Sequence, residues 1–356
     1  MIKPKEHLRN IYRTTPEEFD RTAYLRLDKN EDVDGFSSEF VQGLLSGISP
    51  ELISSYPQLF PLYEKLSGDL GVNRDQLLIT AGSDAAIKNI FEVFINPGDK
   101  ILTPDPTYAM YYVYSQLFQA ELIKTQFDKD LNLPIDKFLE NISAEIKMVV
   151  LANPNSPTGT IVTKNDVLKV LKKAEENNVL VLVDEAYYPY HPDTILEMVD
   201  KFDNLIITRT FSKAYGLASL RVGYAISNPD IIKAMITFRP IYETTGISAH
   251  LACKMLDNNE IVQKKIDETI KGKEYVISEM DKLGLKVYAS HTNFIHIQVG
   301  EENVQKVCNH LEKSRILVRT GFEHETLKHC IRITTGSVNT MKPFVESMKL
   351  YYSNEH

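Results

Sequence analysis

The chain has 356 residues, of which 43% are hydrophobic and 25% charged, and its formal net charge is −8. This length favours two structural units with a sizeable core, although it also fits a single large α/β body, and the composition excludes a disordered or fibrous protein. The sequence contains no dense run of Lys and Arg, so it lacks the charge pattern of a nucleic-acid binder. Small molecules are therefore the expected partners.

The first 21 residues read MIKPKEHLRNIYRTTPEEFDR and contain no apolar segment of signal-peptide length. No apolar run further along the chain reaches the ~20 residues that span a bilayer. We therefore expect a cytoplasmic protein with no membrane association. Cys253, Cys308 and Cys330 lie far apart and lack the spacing of a zinc site, so we expect reduced, buried thiols and no metal.

Short apolar runs alternate with amphipathic stretches over the central two-thirds of the chain, a pattern typical of parallel strands joined by helices. The predicted strands are Leu77–Thr80, Lys100–Thr103, Lys147–Ala152, Val179–Val183, Leu205–Thr208 and Val222–Ile226. Between two of them, Asn165-Asp166 precedes apolar residues at helical spacing, which predicts a capped helix packed on the sheet. The fold class is therefore α/β.

The pattern changes near residue 241. Ile261 to Leu283 carries one apolar stripe, which predicts a long amphipathic helix. Phe294–Val299 then alternates apolar residues with His296 and Gln298, as in a strand with one solvated or helix-free face. We expect an N-terminal arm over 1–36, a large domain over 37–240 and a smaller α+β domain over 241–356, with a ligand cleft between the domains.

Lys213 follows the predicted strand Leu205–Thr208, and the carboxyl end of a strand is where α/β sheets bind ligands. Two hydroxyls and an arginine lie nearby, on Thr210, Ser212 and Arg221. They suit a dianionic phosphate, and an amine whose pKa is lowered by burial and nearby cations adds to an aldehyde. An isolated Ser-Lys pair is more often a surface lysine, but these neighbours favour pyridoxal phosphate.

That cofactor needs an acid opposite its pyridine nitrogen, because the protonated ring is the electron sink. Asp184 ends the apolar run Val179–Val183 and would reach the carboxyl edge of the sheet, where a bound cation would compensate its charge. Tyr187, three residues later, is placed to reach the cofactor's phenolic oxygen. An acidic residue at a strand end is also commonly a helix cap.

Gly82-Ser83-Asp84 follows the strand Leu77–Thr80 and begins an amphipathic segment, so its backbone N–H groups would bind phosphate. A plain Ser/Asp helix cap explains the same residues equally well. Tyr108 follows the next strand and is a candidate for stacking on a planar ring, although loop tyrosines often serve only for packing.

Together these motifs resemble the fold-type I aminotransferases, and within them the histidinol-phosphate aminotransferase family. The resemblance covers nearly the whole chain, and the joint order and spacing of the motifs are specific, although no single motif is. The matching segments are Leu27–Glu31, Tyr56-Pro57, Gly82–Asp84, Pro106–Tyr111, Asn153–Gly159, Asp184–Tyr187, Ser212-Lys213, Arg221 and Arg332–Thr334.

The resemblance implies a large domain with a mostly parallel sheet and a pyridoxal 5'-phosphate cofactor that Lys213 carries as a Schiff base. Lys213 would also move a proton between the substrate Cα and the cofactor's C4′. Asp184 would pair with the pyridine nitrogen, and Tyr108 would stack on the ring. The cofactor phosphate would be surrounded by Gly82, Ser83, Asp84, Ser212, Arg221 and, from the other subunit of a homodimer, Tyr56.

Arg332 matches the family arginine that binds the substrate α-carboxylate, which suits an amino acid donor such as L-glutamate. For an arbitrary arginine in such a run, a surface ion pair on an edge strand would be the default. We interpret Arg319 as structural and expect Asn30 to border the substrate. His291 and His296 show no metal-ligand spacing and are interpreted as packing or surface residues.

The sequence departs from the family at two places. Most members have an asparagine directly before Pro-Thr-Gly that bonds to the cofactor's phenolic oxygen, whereas this chain has Ser156 there, preceded by Asn155. Either residue is a candidate partner of that oxygen. The family's Tyr-x-Pro-Gly and Asn-Glu-Asn-Pro are replaced by Thr14–Glu18 and Asn30–Val33. Because that arm closes over the substrate side chain, another small, phosphorylated amine or keto compound is at least as well supported as histidinol phosphate.

Three functions are therefore compared. Transamination in two half-reactions is favoured because most of the family's motifs are present. Decarboxylation of a phosphorylated amino acid with the same cofactor is the alternative, since the grip on the carboxylate decides which bond breaks. A non-catalytic binding protein of this fold is disfavoured because Lys213, Asp184 and Arg221 are all present.

Overall fold

The computed structural model describes residues 2–3, 5–11 and 19–353 of the chain. Thr14–Glu18, one of the two altered family segments, lies outside these ranges. Within them, every helix is too short or too polar to span a bilayer.

A seven-stranded sheet forms the centre of the larger part of the molecule, with strand order β2-β8-β7-β6-β5-β3-β4. Strands β3 to β7 pair in parallel, whereas β8 runs antiparallel to both β7 and β2. The strands are β2 (Leu77–Thr80), β3 (Lys100–Asp105), β4 (Glu121–Gln126), β5 (Ile146–Ala152), β6 (Leu180–Asp184), β7 (Leu205–Thr210) and β8 (Gly223–Ser227).

A second, antiparallel sheet of three strands has the order β12-β10-β9, and a two-stranded parallel pair joins β1 to β11. The pair ties the N-terminal segment to the C-terminal part of the chain. These strands are β1 (Leu25–Arg26), β9 (Val287–Tyr288), β10 (Phe294–Gln298), β11 (Ile316–Leu317) and β12 (Cys330–Thr334).

Twelve α-helices surround the sheets in the described part of the chain. They are α1 (Ser38–Leu45), α2 (Pro50–Ser54), α3 (Phe60–Leu70), α4 (Ser83–Phe94), α5 (Ala109–Leu117), α6 (Ile135–Glu140), α7 (Lys164–Glu176), α8 (Pro229–Phe238), α9 (Gly246–Leu256), α10 (Asn259–Lys282), α11 (Glu301–Lys313) and α12 (Val338–Ser353).

The large sheet is buried on both faces, which explains its continuous apolar runs. Along β5, Val149 and Leu151 point into one hydrophobic cluster, whereas Met148 and Val150 point into the cluster on the opposite face. Helix α10 contributes Val262 and Ile266 to the first of these clusters, and Val276 and Met280 to a third cluster around the small sheet. The long helix therefore packs against both parts of the molecule.

The α/β class with a mostly parallel sheet is confirmed, and each of the six predicted large-sheet strands corresponds to a strand that differs by at most two residues at either end. The domain boundaries at 36 and 240 stay a prediction. The predicted cap at Asn165-Asp166 is wrong: α7 begins at Lys164, and Thr163 is its N-cap, accepting a hydrogen bond from the Asp166 backbone N–H.

The alternating strand near Phe294 exists, but its polar face is not solvated at His296. The His296 ring is 0% exposed, and its Nε2 lies 2.6 Å from the carbonyl oxygen of Pro157. Burial lowers the His296 pKa to about 3, so the ring is neutral and Nε2 donates to this carbonyl. The polar residue His296 in this alternating strand therefore contacts the Pro157 loop, and does not lie on the protein surface.

Candidate active site

The carboxyl edge of the large sheet brings several predicted site residues together. Strands β2, β6 and β7 all end at this edge, and the antiparallel strand β8 begins there. Gly223 at the start of β8 pairs with Thr80 and Thr210 at the ends of its two neighbours. The segments around Gly82, Ser212 and Arg221 are consequently neighbours, although they are far apart in sequence.

Gly82, the N-cap of α4, and Arg221 form a compact polar cup. Gly82 has φ +86°, and a Cβ there would lie 2.7 Å from Arg221 Nη2. Arg221 Nη1 donates to Ser212 Oγ at 3.2 Å and to the Ala218 carbonyl at 3.2 Å. The cup therefore combines a helix N-terminus, a hydroxyl and a guanidinium, which is an anion-binding arrangement.

A plain Ser/Asp cap does not explain this segment. Among the described residues, no side chain hydrogen-bonds to the first-turn N–H groups of α4. Instead, Ser83 and Asp84 occupy the first turn itself, and the buried Asp84 Oδ1 has no partner in the described structure. The simple-cap interpretation is wrong, because Gly82 is the N-cap. Its carbonyl accepts from the Ala85 and Ala86 N–H groups, which leaves those of Ser83 and Asp84 to face an anion.

Asp184 ends β6 as a buried carboxylate held by two hydroxyls. Tyr111 Oη donates to its Oδ2 at 3.0 Å and Thr208 Oγ1 donates to its Oδ1 at 2.8 Å. Burial raises the Asp184 pKa to about 6, against the two hydrogen bonds, which lower it. Asp184 is therefore not a helix cap, but a carboxylate that is ionised near neutral pH and suited to a bound cation.

The Lys213 side chain is partly buried beside this carboxylate and two guanidinium groups. Its Nζ donates to the Lys29 carbonyl oxygen at 3.2 Å. Burial and the charges of Arg332 and Arg221 lower its pKa to about 8, although Asp184 and Glu31 act in the opposite direction. An appreciable fraction of neutral amine is therefore present near neutral pH, as a nucleophilic lysine requires.

Two tyrosines line the same region. Tyr108, directly before α5, contacts Tyr111 edge to face with a centroid separation of 5.5 Å. Burial, with the charges of Asp84 and Asp184, raises the Tyr108 pKa well above 10, so its hydroxyl stays protonated. Tyr187 is buried, and its ring centroid lies 6.0 Å from Lys213 Nζ.

The two candidates next to Pro157 differ sharply in their surroundings. The Asn155 amide is fully engaged in its own loop: it accepts from Thr107 Oγ1 at 2.9 Å and donates to the Pro106 carbonyl at 3.0 Å and to Thr158 Oγ1 at 2.9 Å. Ser156, by contrast, lies close enough to the Tyr187 hydroxyl to lower the pKa of that group. This geometry favours Ser156, and not Asn155, as the group that faces the site.

Arg332 lies on an edge strand but makes no ion pair within the described part of the chain. Its side chain is buried, Nη2 donates to the Asp28 carbonyl at 2.9 Å, and Nε has no partner in the described structure. Burial lowers the Arg332 pKa to about 10. Arg319 pairs with Arg332 through two backbone hydrogen bonds of 2.9 and 2.8 Å, and its exposed side chain adds positive charge nearby.

Tyr56 lies on the surface, whereas Asn30 lies inside this cluster. Tyr56 is 74% exposed and stacks on Tyr242 with a centroid separation of 4.4 Å. The Asn30 amide donates to Tyr187 Oη at 2.8 Å. The exposed His291 and buried His296 serve as surface and packing residues respectively.

Sequence reasoning missed the groups that support Asp184. Thr208 pairs with Asp184 in the sheet register, and Tyr111 lies on the helix after the Tyr108 loop. Aligning the ends of adjacent predicted strands would have placed Thr208 beside Asp184. The contact of Tyr111 depends on the packing of α5 and carries no local signal.

These groups fit pyridoxal phosphate. The cup around Gly82 suits the phosphate, the buried Asp184 suits a protonated ring nitrogen, and the Lys213 amine suits the aldehyde. The unpartnered oxygen of Asp84 and the uncapped start of α4 both indicate a ligand at this edge.

Comparisons with known proteins agree with this geometry. The family model "Aminotransferase class I and II" matches residues 48–348. A histidinol-phosphate aminotransferase of Thermoanaerobacter pseudethanolicus is 34% identical over 330 residues, covering 91% of this chain and 92% of that protein. One from Methanocaldococcus jannaschii is 30% identical, covering 98% and 93%. These relatives favour the aminotransferase over the decarboxylase alternative.

The fold is shared with solved structures. The histidinol-phosphate aminotransferase of Sinorhizobium meliloti in complex with pyridoxal-5'-phosphate superposes with a TM-score of 0.90 and 21% identity, covering 100% of this chain and 99% of that one. L-threonine-O-3-phosphate decarboxylase of Porphyromonas gingivalis has a TM-score of 0.76 at 20% identity, covering 92% and 99%, which shows the shared fold alone. From the family match, the relatives and the site, the chain belongs to the class I and II aminotransferases and is a pyridoxal-phosphate-dependent aminotransferase.

Proposed function

We propose that this aminotransferase exchanges an amino group between L-glutamate and a small phosphorylated carbonyl compound. We propose further that this compound is the one formed when histidinol phosphate loses its amino group. The observation that carries the proposal is the position of Lys213, whose amine lies among Asp184, Arg332 and Arg221 at the edge of the sheet. The curated relatives at 30–34% identity named histidinol-phosphate aminotransferase support the choice of substrate.

In this proposal the chain's own residues divide the chemistry. Pyridoxal phosphate, when bound, supplies the electron sink that makes the substrate's α-proton acidic. Lys213 Nζ would take that proton from the substrate Cα and return it at the cofactor's C4′, as its pKa of about 8 permits. Asp184 would hold the proton on the ring nitrogen, and Tyr108 would stack on the ring.

The cofactor phosphate would be held by the cup described above, with Gly82, Ser83 and Asp84 at the start of α4 and Ser212 and Arg221 opposite. Tyr187 would donate to the phenolic oxygen, and Ser156, which lies beside the Tyr187 hydroxyl, would support it there. Asn155 would support them by fixing the loop.

Arg332 would bind the α-carboxylate of the amino acid donor. Its buried guanidinium has an unpartnered Nε and no carboxylate partner among the described residues. A substrate carboxylate would supply the missing acceptor in a charge-assisted contact. The neighbouring charge of Arg319 suits an anionic second substrate, such as a phosphate ester.

A cytoplasmic homodimer with shared active sites is part of the proposal. Apolar side chains that are at least half exposed occur on two segments that meet at the Tyr56–Tyr242 stack. They are Ile53, Tyr56, Phe60, Ile241 and Tyr242. A partner subunit would cover them, and mixed dimers of Tyr56→Phe and Lys213→Ala chains would then recover activity that neither homodimer has.

The substrate assignment is tested by supplying the holoenzyme with histidinol phosphate and 2-oxoglutarate and measuring L-glutamate. We expect glutamate to form in proportion to the histidinol phosphate consumed. Glutamate formation from other amino donors but not from histidinol phosphate would contradict the substrate pair. Release of carbon dioxide from a phosphorylated amino acid, without glutamate, would contradict amino transfer.

A further inference from the structure

Three consecutive residues of the N-terminal segment each contact a different functional group of the site. The Asp28 carbonyl accepts from Arg332 Nη2 at 2.9 Å, and the Lys29 carbonyl accepts from Lys213 Nζ at 3.2 Å. The third, Asn30, uses its side chain, and its Nδ2 donates to Tyr187 Oη at 2.8 Å.

The Asn30 backbone is fixed independently of this contact. It has φ +57°, a left-handed conformation that asparagine tolerates better than most residues. Its N–H donates to Thr334 Oγ1 at 3.0 Å, and its carbonyl accepts from Asn293 Nδ2 at 3.2 Å. Both partners belong to the small-sheet part of the chain. The amide of Asn30, which is 4% exposed, is therefore held against Tyr187 by the backbone.

The direction of these hydrogen bonds determines where the Tyr187 proton points. An amide nitrogen can only donate, so Tyr187 Oη is the acceptor from Asn30. Burial raises the Tyr187 pKa, whereas the charge of Arg332 and the neighbouring Ser156 and Asn30 lower it. With its oxygen accepting the bond from Asn30, the Tyr187 hydroxyl has its own proton available for another group.

We propose that Asn30 is a positioning residue that acts through Tyr187, by directing the tyrosine's proton toward the phenolic oxygen of the bound cofactor. This differs from the expectation that Asn30 borders the substrate. The inference rests on the proposed roles of Tyr187 and Lys213 at the cofactor, but not on the identity of either substrate.

The test is a pH titration of the cofactor absorbance in the holoenzyme without substrate. A donor to the phenolic oxygen stabilises its anion, and it therefore favours loss of the proton from the neighbouring Schiff-base nitrogen of Lys213. Asn30→Gly keeps the left-handed backbone and removes only the amide. We expect it to raise the midpoint of the titration by about half a pH unit or more, as loss of one hydrogen bond predicts. Tyr187→Phe should raise the midpoint further.

The double variant separates positioning from a general structural effect. In the Tyr187→Phe background, Asn30→Gly should cause no further shift; an equal, additive shift would overturn the proposal. Asn178→Gly is the matched control, because Asn178 also has φ +57° and lies on the surface after α7. A similar shift in that control, or none in Asn30→Gly, would also overturn it.

A second variant covers the case in which Asn30→Gly fails to retain cofactor. Aspartate has the same shape as asparagine, but its carboxylate would accept a hydrogen bond from the Tyr187 hydroxyl. The tyrosine's proton would then point away from the phenolic oxygen, so the midpoint in Asn30→Asp should rise at least as far as in Tyr187→Phe. An unchanged midpoint would contradict the inference. The titration contains no substrate, so the expected shift can occur even in a protein that forms no glutamate from histidinol phosphate. That pair of results would support the role of Asn30 and reject only the substrate assignment.

Discussion

Replacing Asp184 with asparagine should make the apoprotein more stable while weakening the bound cofactor. Burial raises the pKa of this carboxyl from its ordinary value of 3.8 to about 6. At 1.36 kcal/mol per pKa unit, the ionised Asp184 destabilises the apoprotein by about 3 kcal/mol at neutral pH. Asparagine removes this charge, and its amide oxygen can still accept from Tyr111 or Thr208.

The pH dependence follows from the sign of the shift. A carboxyl whose pKa is raised in the folded state binds its proton more tightly there, so stability is greatest below about pH 4 and falls as pH rises to about 6. The advantage of Asp184→Asn should therefore grow over this range and stay at about 3 kcal/mol above it. With cofactor bound, the sign should reverse, because the wild-type carboxylate then has a cationic partner.

The assay is urea unfolding of apo and holo forms at pH 5 and pH 8. Asp166→Asn is the control, because the pKa of Asp166 is lowered by its bonds to Lys169 and Thr163, and its removal should not stabilise the protein. An Asp184→Asn apoprotein that is less stable than wild type at pH 8, or a difference that does not change with pH, would refute the reasoning.

Three further outcomes are expected. Gly82→Ala should weaken cofactor binding at least tenfold, measured by equilibrium titration, because its Cβ would lie 2.7 Å from Arg221 Nη2. Gly98→Ala is the control and should not weaken binding, because Gly98 also has a positive φ (+89°) but has open space around it. Arg332→Ala should raise KM for L-glutamate by about 30-fold or more, since a buried charge-assisted contact is lost, and an unchanged KM would contradict its role. Cofactor incorporation into the apoprotein should accelerate as pH rises through about 8, where Lys213 loses its proton; a rate that falls over this range would contradict the assignment.

Local sequence patterns predicted the buried parts of the fold well. Leu77–Thr80 matches β2 because all four of its residues are buried between helices. The missed strand β4 is an edge strand whose only buried residue is the polar Thr125, so it has no apolar run. Patterning detects burial, and a strand that is paired but exposed gives little signal.

The site was predictable where strand ends carry the chemistry, as at Asp184 and Lys213. It was not predictable where long-range contacts decide the outcome. The engagement of the Asn155 amide depends on Thr107, and the burial of Arg332 depends on the packing of Asp28 and Phe294 around it. Such contacts arise only when segments distant in sequence are packed together.

The most direct test of the central claim is to reduce the holoprotein with borohydride and locate the cofactor adduct by peptide mass spectrometry. Lys273 is the relevant competitor, because burial lowers its pKa to about 8 as well. We predict that the adduct lies on Lys213 and is absent from the Lys213→Ala variant. An adduct on Lys273, or one that persists undiminished in Lys213→Ala, would contradict the assignment of the active site.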